Sequence, residues 1–417
     1  AITGTIVYSN TFTQNWATVI NFIGAAGGGL YAYGIDDSQV TGNTFTANAA
    51  NTMGEGGMQM TPIPYGGGLG LRHIYHAQVA NNRFEGNVAT VGGGGVGGGL
   101  GMRSDKDIPT VGINVVDNLF IRNLGDSAMR GDAAGGAISV SQGKSITVAH
   151  NMLIENSGTL TTEAVPEKAS SAIMLSGLND TMAVPNYVGL WDVVVDSNQI
   201  LDSGQGLSAT VGLPNNFAVS VQAVDRFTIT NNLITGSTLG GIVAVYEAYT
   251  DGDGDPLDTH GVIANNTLYG NGTYGMWLLN RWRPDILKIT NNIVTNNKYG
   301  FEGTNLYGGA APLQLRYTLL YGNEEDIGPE ATADESITTT HTIAADPLFF
   351  APALDDFSLL PVSPAIDAGD PAGVPPAPLF DIDGAQRPYG PQVDIGAYEW
   401  HGQGYPFQSY LPGITKD

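Results

Sequence analysis

The amino-acid sequence predicts an all-β solenoid, in which short parallel strands form rungs that stack on one another. Three observations predict this fold. A short motif that begins with Asn recurs along most of the chain, alternating apolar strands flank its copies, and 58 Gly accompany only 13% charged residues. Soluble helices normally expose many charged side chains, whereas Gly and Asn are typical of tight turns between strands.

The recurring motif consists of Asn, any residue, an apolar residue, two further residues, and then Asn or Ser. Successive copies start between 26 and 47 residues apart, and repeats of this length indicate a solenoid. Nine copies begin at Asn10, Asn43, Asn82, Asn118, Asn151, Asn198, Asn232, Asn266 and Asn292, and a degenerate copy begins at Thr318.

The strands around the motif complete each repeat. A strand with alternating apolar residues, such as Ile146 and Val148, precedes the motif, and a Gly-led strand such as 135–141 follows it. Each repeat is therefore expected to supply three short strands, and about 10–12 coils are expected to share one apolar interior. Asn is expected at the corner in the left-handed backbone conformation, with its amide bonded to the same amide one rung away.

The repeats divide the chain into three predicted regions: a β-helical domain over 1–340, a capping module over 341–400 and a tail over 401–417. The second region is rich in Pro and Asp and lacks the Asn motif. It is expected to cover the last coil, whose open strand edges would otherwise pair with another chain. Residues in excess of a bare rung are expected to form loops at fixed corners, where they contact partners.

The charge of the chain restricts its partners. Lys and Arg total 16 and Asp and Glu total 40, so the net charge is −24, which opposes binding to nucleic acids and anionic lipids. No apolar run reaches the ~18–20 residues of a transmembrane segment, and the absence of Cys excludes disulfides. The expected partners are other surface proteins, copies of the chain itself or cell-surface glycans. Because residue 1 leads directly into a strand, either a preceding domain or end-to-end stacking into a fibre is expected.

Repeats in the first part of the chain resemble those of a known family. Gly-Gly-Gly-Leu segments and the Phe-x-x-Asn segments at 45–48, 84–87 and 120–123 resemble the repeats of polymorphic outer-membrane protein adhesins. This likeness covers roughly the first third of the chain. The remainder is similar to the right-handed parallel β-helix, or pectin-lyase-like, superfamily, and the resemblance implies the same all-β fold.

The C-terminal region carries a second resemblance. The segments 346–349, 363–369 and 394–399, together with Asp383 and Arg387, resemble the terminal module of large secreted β-helix repeat proteins. This resemblance implies export, with the protein located outside the cell or on a bacterial surface. It implies little about activity.

The pectin-lyase-like superfamily contains polysaccharide lyases, hydrolases and epimerases, so an enzyme is the alternative to a structural protein. A lyase requires a cation held by carboxylates and a basic residue near the sugar. The catalytic candidates are Arg281, Arg283 and Asp285, with Trp282 as a surface on which a sugar ring can stack. The other interpretation, which the sequence favours, is an exposed turn whose arginines pair with Asp on neighbouring rungs.

Other polar residues offer less for catalysis. Hydrolysis of a glycoside requires two carboxylates on one face, whereas Glu247 and Glu302 stand alone in their strands. His73 and His76 are three residues apart, and this spacing places them on opposite faces of a strand. A metal shared by these two histidines is therefore not expected.

An acidic segment predicts a calcium site. Asp251, Asp253, Asp255 and Asp258 alternate largely with Gly, and such carboxylates can converge on Ca²⁺. The segment departs from the helix-loop-helix calcium pattern, since Pro256 occupies the sixth position, where a Gly is required. Calcium is expected to rigidify this loop without a catalytic part. The alternative is an acidic, solvated insertion.

These observations together predict an extracellular structural or adhesive surface protein. The solenoid is expected to act as a rigid scaffold that contacts partners through its loops and stacks into a fibre or a larger surface assembly. The alternative is a polysaccharide lyase, hydrolase or epimerase. A groove with several carboxylates around Arg281 and Arg283 would favour that alternative.

Overall fold

A computed structural model provides the structure of the chain. It describes residues 2–17, 27–51, 65–90, 97–104, 109–125, 134–158, 170–177, 189–204, 215–245, 249–250, 256–257, 260–279, 286–303, 312–333, 335, 337–370, 372 and 380–402. All structural statements below concern these residues.

Three parallel sheets run along the molecule, and each coil of the chain adds one rung to every sheet. Sheet 1 comprises Ile2–Thr3, Ile6–Tyr8, Ile35–Thr41, Tyr75–Ala80, Val111–Val116, Gly143–Ala149, Leu190–Asp196, Val224–Thr230, Gly261–Ala264, Leu287–Thr290, Leu313–Arg316 and Ile337–Thr340. Sheet 2 comprises Thr11–Thr13, Thr44–Thr46, Arg83–Glu85, Leu119–Ile121, Met152–Ile154, Gln199–Leu201, Leu233–Thr235, Thr267–Tyr269, Ile293–Thr295 and Leu319–Tyr321. Sheet 3 comprises Leu30–Tyr33, Leu69–Arg72, Leu100–Arg103, Ala134–Ser141, Ser170–Ser176, Asn215–Gln222, Gly240–Val245, Tyr274–Leu279, Tyr299–Gly303 and Glu325–Ile327.

The remaining elements are short. Two further parallel strands are Ala49–Asn51 and Val88–Thr90, and two antiparallel pairs join Tyr249–Thr250 to Pro256–Leu257 and Phe349–Ala351 to Asp356–Leu359. An α-helix spans Pro329–Ala333 and a 3-10 helix spans Pro352–Leu354. Sheet 1 contains eleven successive rungs, numbered 1 to 11 from the N-terminus, because its first two strands lie in one rung. The predicted all-β fold of about 10–12 coils is therefore confirmed.

Apolar side chains of all three sheets fill the interior and form one continuous core. Its N-terminal part contains a stack of four phenylalanine rings, Phe12, Phe45, Phe84 and Phe120, whose centroids are 4.8, 4.8 and 4.7 Å apart. These separations match the distance between paired strands. Identical side chains therefore stack because the parallel register places equivalent residues directly above one another.

Two ladders of side-chain amides run beside this core. The first joins the Asn that begins each copy of the motif, and the second joins the residues that end the copies, Asn15, Asn48, Asn87, Asn123 and Asn156. In the first ladder, Nδ2 of each motif Asn donates to Oδ1 of the next one; for example, Asn82 donates to Asn118 and Asn118 donates to Asn151, both over 3.0 Å. The ladder extends without a break from Asn10 to Asn292. The prediction that each amide bonds the same amide one rung away is confirmed.

The backbone conformation predicted for the ladder residues is wrong by one position. The left-handed residue is the one before each ladder Asn, for example Asn81 with φ 55° and Asp117 with φ 56°, whereas Asn82 and Asn118 have negative φ. The preceding residue turns the chain at the corner, and this turn directs the ladder amide along the axis. Asn and Asp are suited to that corner because they adopt the left-handed conformation at low cost.

The C-terminal module lies on the side of the solenoid, which corrects the expectation that it covers the last coil. Its apolar residues Phe349, Phe357 and Ile395 pack against Leu233 and Ile293 on the outer face of sheet 2. Hydrogen bonds attach it to several rungs: Asn231 Nδ2 to the carbonyl of Phe380, Asn265 Nδ2 to that of Asp394, and the Ala397 amide to Thr267 Oγ1. The physical reason is that the later rungs of sheet 2 expose apolar residues that need a cover.

Other residues form the C-terminal end of the solenoid. Ile337–Thr340 pairs with Leu313–Arg316 as the last rung of sheet 1, and Ile343 still bridges to Leu319 of sheet 2. At the end of sheet 3, the buried Glu302 accepts hydrogen bonds from the backbone amides of Ala331 (2.7 Å) and Glu330 (3.4 Å) in the helix Pro329–Ala333. Glu302 thus anchors the helix over the end of the sheet, which explains why this carboxylate stands alone in its strand.

The motif residues of the module hold it together from within. Asp394 accepts the amides of Asp367 and Trp400, Glu399 accepts the amide of Asp394, and Arg387 donates to the carbonyl of Gly396. Burial raises the pKa of Asp394 to about 7. None of the described helices is long and apolar enough to span a membrane.

Candidate functional site

The outer face of sheet 1 carries a row of polar side chains, one from each of rungs 2 to 5. Gln39, Gln78, Asn114 and Thr147 occupy equivalent positions of rungs 2 to 5, because Gln39 pairs with Gln78, Gln78 with Asn114, and Asn114 with Thr147. Their neighbours in the strands, such as Val79, face the core. The alternation of a β-strand therefore directs the amides and the hydroxyl outwards.

A second row lies beside the first. Asp37, His76, Ser145 and Asp192 have φ between 49° and 57° in the middle of sheet 1 strands, and Gly112 has φ 71° at the equivalent position. The strand pairing skips these residues and resumes on both sides of them; for example, rungs 2 and 3 pair through residues 36 with 75 and 38 with 77. The left-handed residues thus bend every strand at the same place, and the bends form a continuous column along the sheet.

The two rows line a groove that is open to solvent, with a volume of about 770 Å³. The groove crosses rungs 2 to 6 along the axis of the solenoid, a distance of roughly 19 Å at the usual strand spacing. Its described lining consists of Asp37, Ser38, Gln39, His76, Ala77, Gln78, Gly112, Asn114, Ser145, Thr147, Asp192 and Val194.

An ion-pair network lies at the C-terminal end of the groove. Arg226 contacts Asp192 (Nε to Oδ1, 2.6 Å) and Asp225 (Nη1 to Oδ2, 2.5 Å), and Asp225 also contacts Nδ1 of His260 at 3.1 Å. The hydrogen bond from Arg226 lowers the pKa of Asp192, and the same bond raises the pKa of Arg226. Both groups therefore stay charged, and the carboxylates neutralise the positive charge at this end.

The N-terminal end of the groove holds a different group. Nδ1 of His76 lies 3.2 Å from Oδ1 of Asp36 and 4.0 Å from Oδ1 of Asp37. Among the described residues, these three form the one group of three or more His, Asp or Glu side chains whose donor atoms all lie within 4.8 Å of one another. The arrangement provides one nitrogen and two oxygen donors at the solvent-exposed surface.

The structure does not describe the catalytic and sugar-binding candidates predicted from sequence. Arg281, Trp282, Arg283 and Asp285 lie outside the described residues, so their catalytic or sugar-binding role stays a prediction.

The predicted calcium site also stays a prediction. Its ligands lie outside the described residues: Asp251, Asp253, Asp255 and Asp258. The described pairing near them is antiparallel and joins Tyr249–Thr250 to Pro256–Leu257.

The two neighbouring histidines are separated by a corner of the chain. His73 is buried, whereas His76 is exposed and faces the groove. Both have positive φ, 54° in each case, and they do not belong to one strand as the spacing argument assumed, because Leu69–Arg72 ends before His73 and Tyr75–Ala80 begins after it.

The groove residues were missed because their partners are distant in sequence: Asp36 and His76 are 40 residues apart. A signal for them was nevertheless present. Counting six residues back from the ladder Asn of each rung gives Asp37, His76, Gly112, Ser145 and Asp192. Counting four residues back gives the row that starts with Gln39. The motif therefore supplies a register from which the outer face of sheet 1 can be read.

Comparisons with known proteins agree with the observed architecture. A protein-family model described as "Right handed beta helix region" matches residues 179–323. With the three parallel sheets, this match identifies the fold as a right-handed parallel β-helix. No curated protein sequence matches the chain. The resemblance of the first repeats to adhesins stays a prediction.

Two solved structures are similar to this chain. One is the pectate lyase Pel9A, with 13% sequence identity and a TM-score of 0.42, covering 94% of this chain and 87% of that chain. The other is the periplasmic alginate epimerase AlgG, with 11% identity and a TM-score of 0.32, covering 82% of this chain and 62% of that chain. The likeness at these identities concerns the fold alone.

Proposed function

We propose that this protein is an extracellular glycan-binding scaffold, with an extended polysaccharide lying in the groove of sheet 1. The observation that carries the proposal is the row of outward amide and hydroxyl groups, Gln39, Gln78, Asn114 and Thr147, in successive rungs. Each amide can donate and accept hydrogen bonds. A regular row of such groups along the axis suits a polymer whose hydroxyl groups also repeat.

The amides are available for a ligand. Within the described residues, no hydrogen bond between side chains involves Gln39, Gln78 or Asn114, and all three are exposed. Other polar side chains of the same molecule, such as the ladder residue Asn118, are fully engaged in hydrogen bonds. The amides of the outer row are therefore free to form hydrogen bonds with a ligand in the groove.

The charge of the groove favours a neutral glycan. Asp37 and Asp192 line it, and none of the described lining residues is Lys or Arg. Arg226 is close to the groove but pairs with Asp192 and Asp225. A polyanion such as pectate or alginate would meet like charges there, in a chain whose net charge is −24, and like charges repel.

The two carboxylates that line the groove are too far apart to act as a pair in glycoside hydrolysis. Asp37 and Asp192, the carboxylates that line the groove, lie in rungs 2 and 6, roughly 19 Å apart along the axis at the usual strand spacing. Glycosidases place their two carboxyl groups only about 5–9.5 Å apart. Asp37 and Asp192 therefore do not form the carboxyl pair of a glycosidase with each other.

Glycan binding can be tested by isothermal titration with neutral and acidic soluble polysaccharides. The wild-type protein is expected to bind a neutral polymer, and the double variant Gln78→Ala with Asn114→Ala is expected to bind it roughly thirtyfold more weakly. This estimate assigns about 1 kcal/mol to each lost hydrogen bond. Gln314→Ala is the matched control, because Gln314 is exposed on the same face of sheet 1 in rung 10, away from the groove.

Three outcomes would contradict the proposal. The first is that the wild type binds no neutral polysaccharide. The second is that the Gln314→Ala variant loses as much affinity as the double variant, and the third is that acidic polymers bind more strongly than neutral ones. Chromatography of the polysaccharide after the titration tests the enzymatic alternative. Release of shorter or unsaturated products would replace the scaffold role with the enzymatic alternative.

A further inference from the structure

We propose that Asp36, Asp37 and His76 form a binding site for a divalent transition-metal ion, with Zn²⁺ the best-matched ion. The site lies at the N-terminal end of the groove, where rungs 2 and 3 meet. This proposal goes beyond glycan binding and does not depend on it. It is also distinct from the calcium site predicted at Asp251 to Asp258.

The distances between the three side chains suit a common ion. Nδ1 of His76 is 3.2 Å from Oδ1 of Asp36 and 4.0 Å from Oδ1 of Asp37. Ligand atoms at about 2.1 Å from a tetrahedral Zn²⁺ lie roughly 3.4 Å from one another. The observed separations fall on both sides of this value, so small rotations of exposed side chains bring all three donors to one ion.

The backbone already holds the donors in place. Asp37 and His76 have left-handed φ angles of 49° and 54° and occupy equivalent positions of adjacent rungs. The strands pair on both sides of these positions, at residues 36 with 75 and 38 with 77. Part of the cost of ordering a metal site is therefore met by the fold itself.

The neighbouring rung leaves room for the imidazole. Gly112 follows His76 in the same column, and a Cβ atom at Gly112 would lie 2.9 Å from Cδ2 of His76. Any other residue there would displace the ring. Gly112 also has φ 71°, so a side chain would be unfavourable for two independent reasons.

The donor atoms favour a transition metal over calcium. An imidazole nitrogen suits Zn²⁺, Cu²⁺ or Ni²⁺, whereas Ca²⁺ prefers six to eight oxygen ligands. Asp36 and Asp37 are adjacent carboxylates with exposed fractions of 35% and 73%, and an exposed ion pair with His76 stabilises them only weakly. A divalent ion would neutralise both carboxylates and retain open positions for water or a ligand hydroxyl.

A second histidine, His260, lies directly before the sheet 1 strand Gly261–Ala264 and provides a comparison. His260 also contacts a carboxylate, Asp225, with Nδ1 3.1 Å from Oδ1. There Arg226 supplies the positive charge, at 2.5 Å from Asp225. Among the described residues no Lys or Arg forms an ion pair with Asp36 or Asp37. His260 therefore provides a matched control.

Metal binding is tested by titrating the chelator-treated full chain with Zn²⁺ and, separately, with Ca²⁺. The wild type is expected to bind one Zn²⁺ that Ca²⁺ does not displace. His76→Ala and Asp37→Asn are each expected to weaken this binding by at least about tenfold, and Gly112→Ala is expected to weaken it by displacing the ring. His260→Ala is expected to bind as the wild type does. Thermal unfolding of each variant without metal checks that it is folded.

The outcomes separate this proposal from the proposed function, since no glycan is present in the titration. Absence of Zn²⁺ binding by the wild type, equal loss in His260→Ala, or unchanged binding in both His76→Ala and Asp37→Asn would overturn the metal site. None of these results would bear on polysaccharide binding. A failure of the wild type to bind glycans would in turn leave the metal titration unaffected.

Discussion

At the scale of single residues, the ladder Asn is the unit on which the fold depends. Asn118 is 2% exposed, accepts hydrogen bonds from the amide N and Nδ2 of Asn82, and donates to the carbonyls of Val79 and Val116. Each repeat thus uses one side chain to satisfy the backbone groups that a corner leaves unpaired. Buried polar groups need such partners, because leaving them unpaired is costly.

Replacement of a ladder residue tests this dependence. Asn118→Ala is expected to lower the free energy of unfolding by about 2–4 kcal/mol, since it leaves several buried donors and acceptors without partners. Asn114→Ala, four residues away but exposed on the outer face, is the control and is expected to change it by less than about 0.5 kcal/mol. Urea unfolding followed by circular dichroism measures both. Equal effects would show that the ladder does not stabilise the corner.

At the scale of elements, the outer face of sheet 2 changes character along the molecule. Its first outward position is Thr11 and Thr44 in the early rungs but Leu233, Ile293 and Leu319 in later ones. The later residues are buried because the C-terminal module covers them. Two sequence features therefore determine where the module lies: its own apolar residues, and the apolar residues on the outer face of the later rungs of sheet 2.

A charge placed under the module is expected to detach it. Ile293 is 1% exposed and packs against the module, so Ile293→Asp would bury an unpaired carboxylate, which is strongly unfavourable. Limited proteolysis is expected to cleave 341–400 much faster in this variant than in the wild type. Thr46→Asp, a partly exposed position of the same sheet in an early rung, serves as control. Identical digestion of all three proteins would argue against lateral docking.

At the scale of the whole molecule, each rung contacts its neighbours, and stability is therefore local. The N-terminal rungs depend on the stack of phenylalanine rings, whereas the later rungs use aliphatic side chains and the C-terminal module. A change within the stack is consequently expected to affect the near end of the solenoid more than the far end.

Hydrogen exchange can detect this local effect. Phe84 is fully buried between two rings. The variant Phe84→Ala is therefore expected to have a free energy of unfolding about 3–5 kcal/mol lower than the wild type. Mass spectrometry is expected to show faster exchange in rungs 2 to 4 and little change in rungs 8 to 10. Phe350→Ala, at a 64% exposed ring, is the control. Uniformly faster exchange along the chain would instead indicate one cooperative unit.

Much of the fold was predictable, because a stack of parallel rungs repeats its local chemistry. The spacing of the Asn motif identified the rungs, and the motif residues form the ladder. The alternation of apolar residues identified the core-facing positions, and Ile146 and Val148 do lie in the core. The groove was not predicted, although a fixed offset from the ladder Asn would have located His76 and Asp192. The offset becomes meaningful only when the left-handed bend of each strand is known.

The sequence by itself determined the stacking of rungs, since identical residues at equivalent positions satisfy one another's hydrogen bonds and bury the same apolar surface whatever the loops do. Only the tertiary structure decided which polar residues share a site and where the C-terminal module lies. Asp36 and His76 become neighbours through strand pairing across 40 residues, and the module follows the apolar outer face of sheet 2. Contacts of this kind depend on the register between rungs, and no single repeat contains that information.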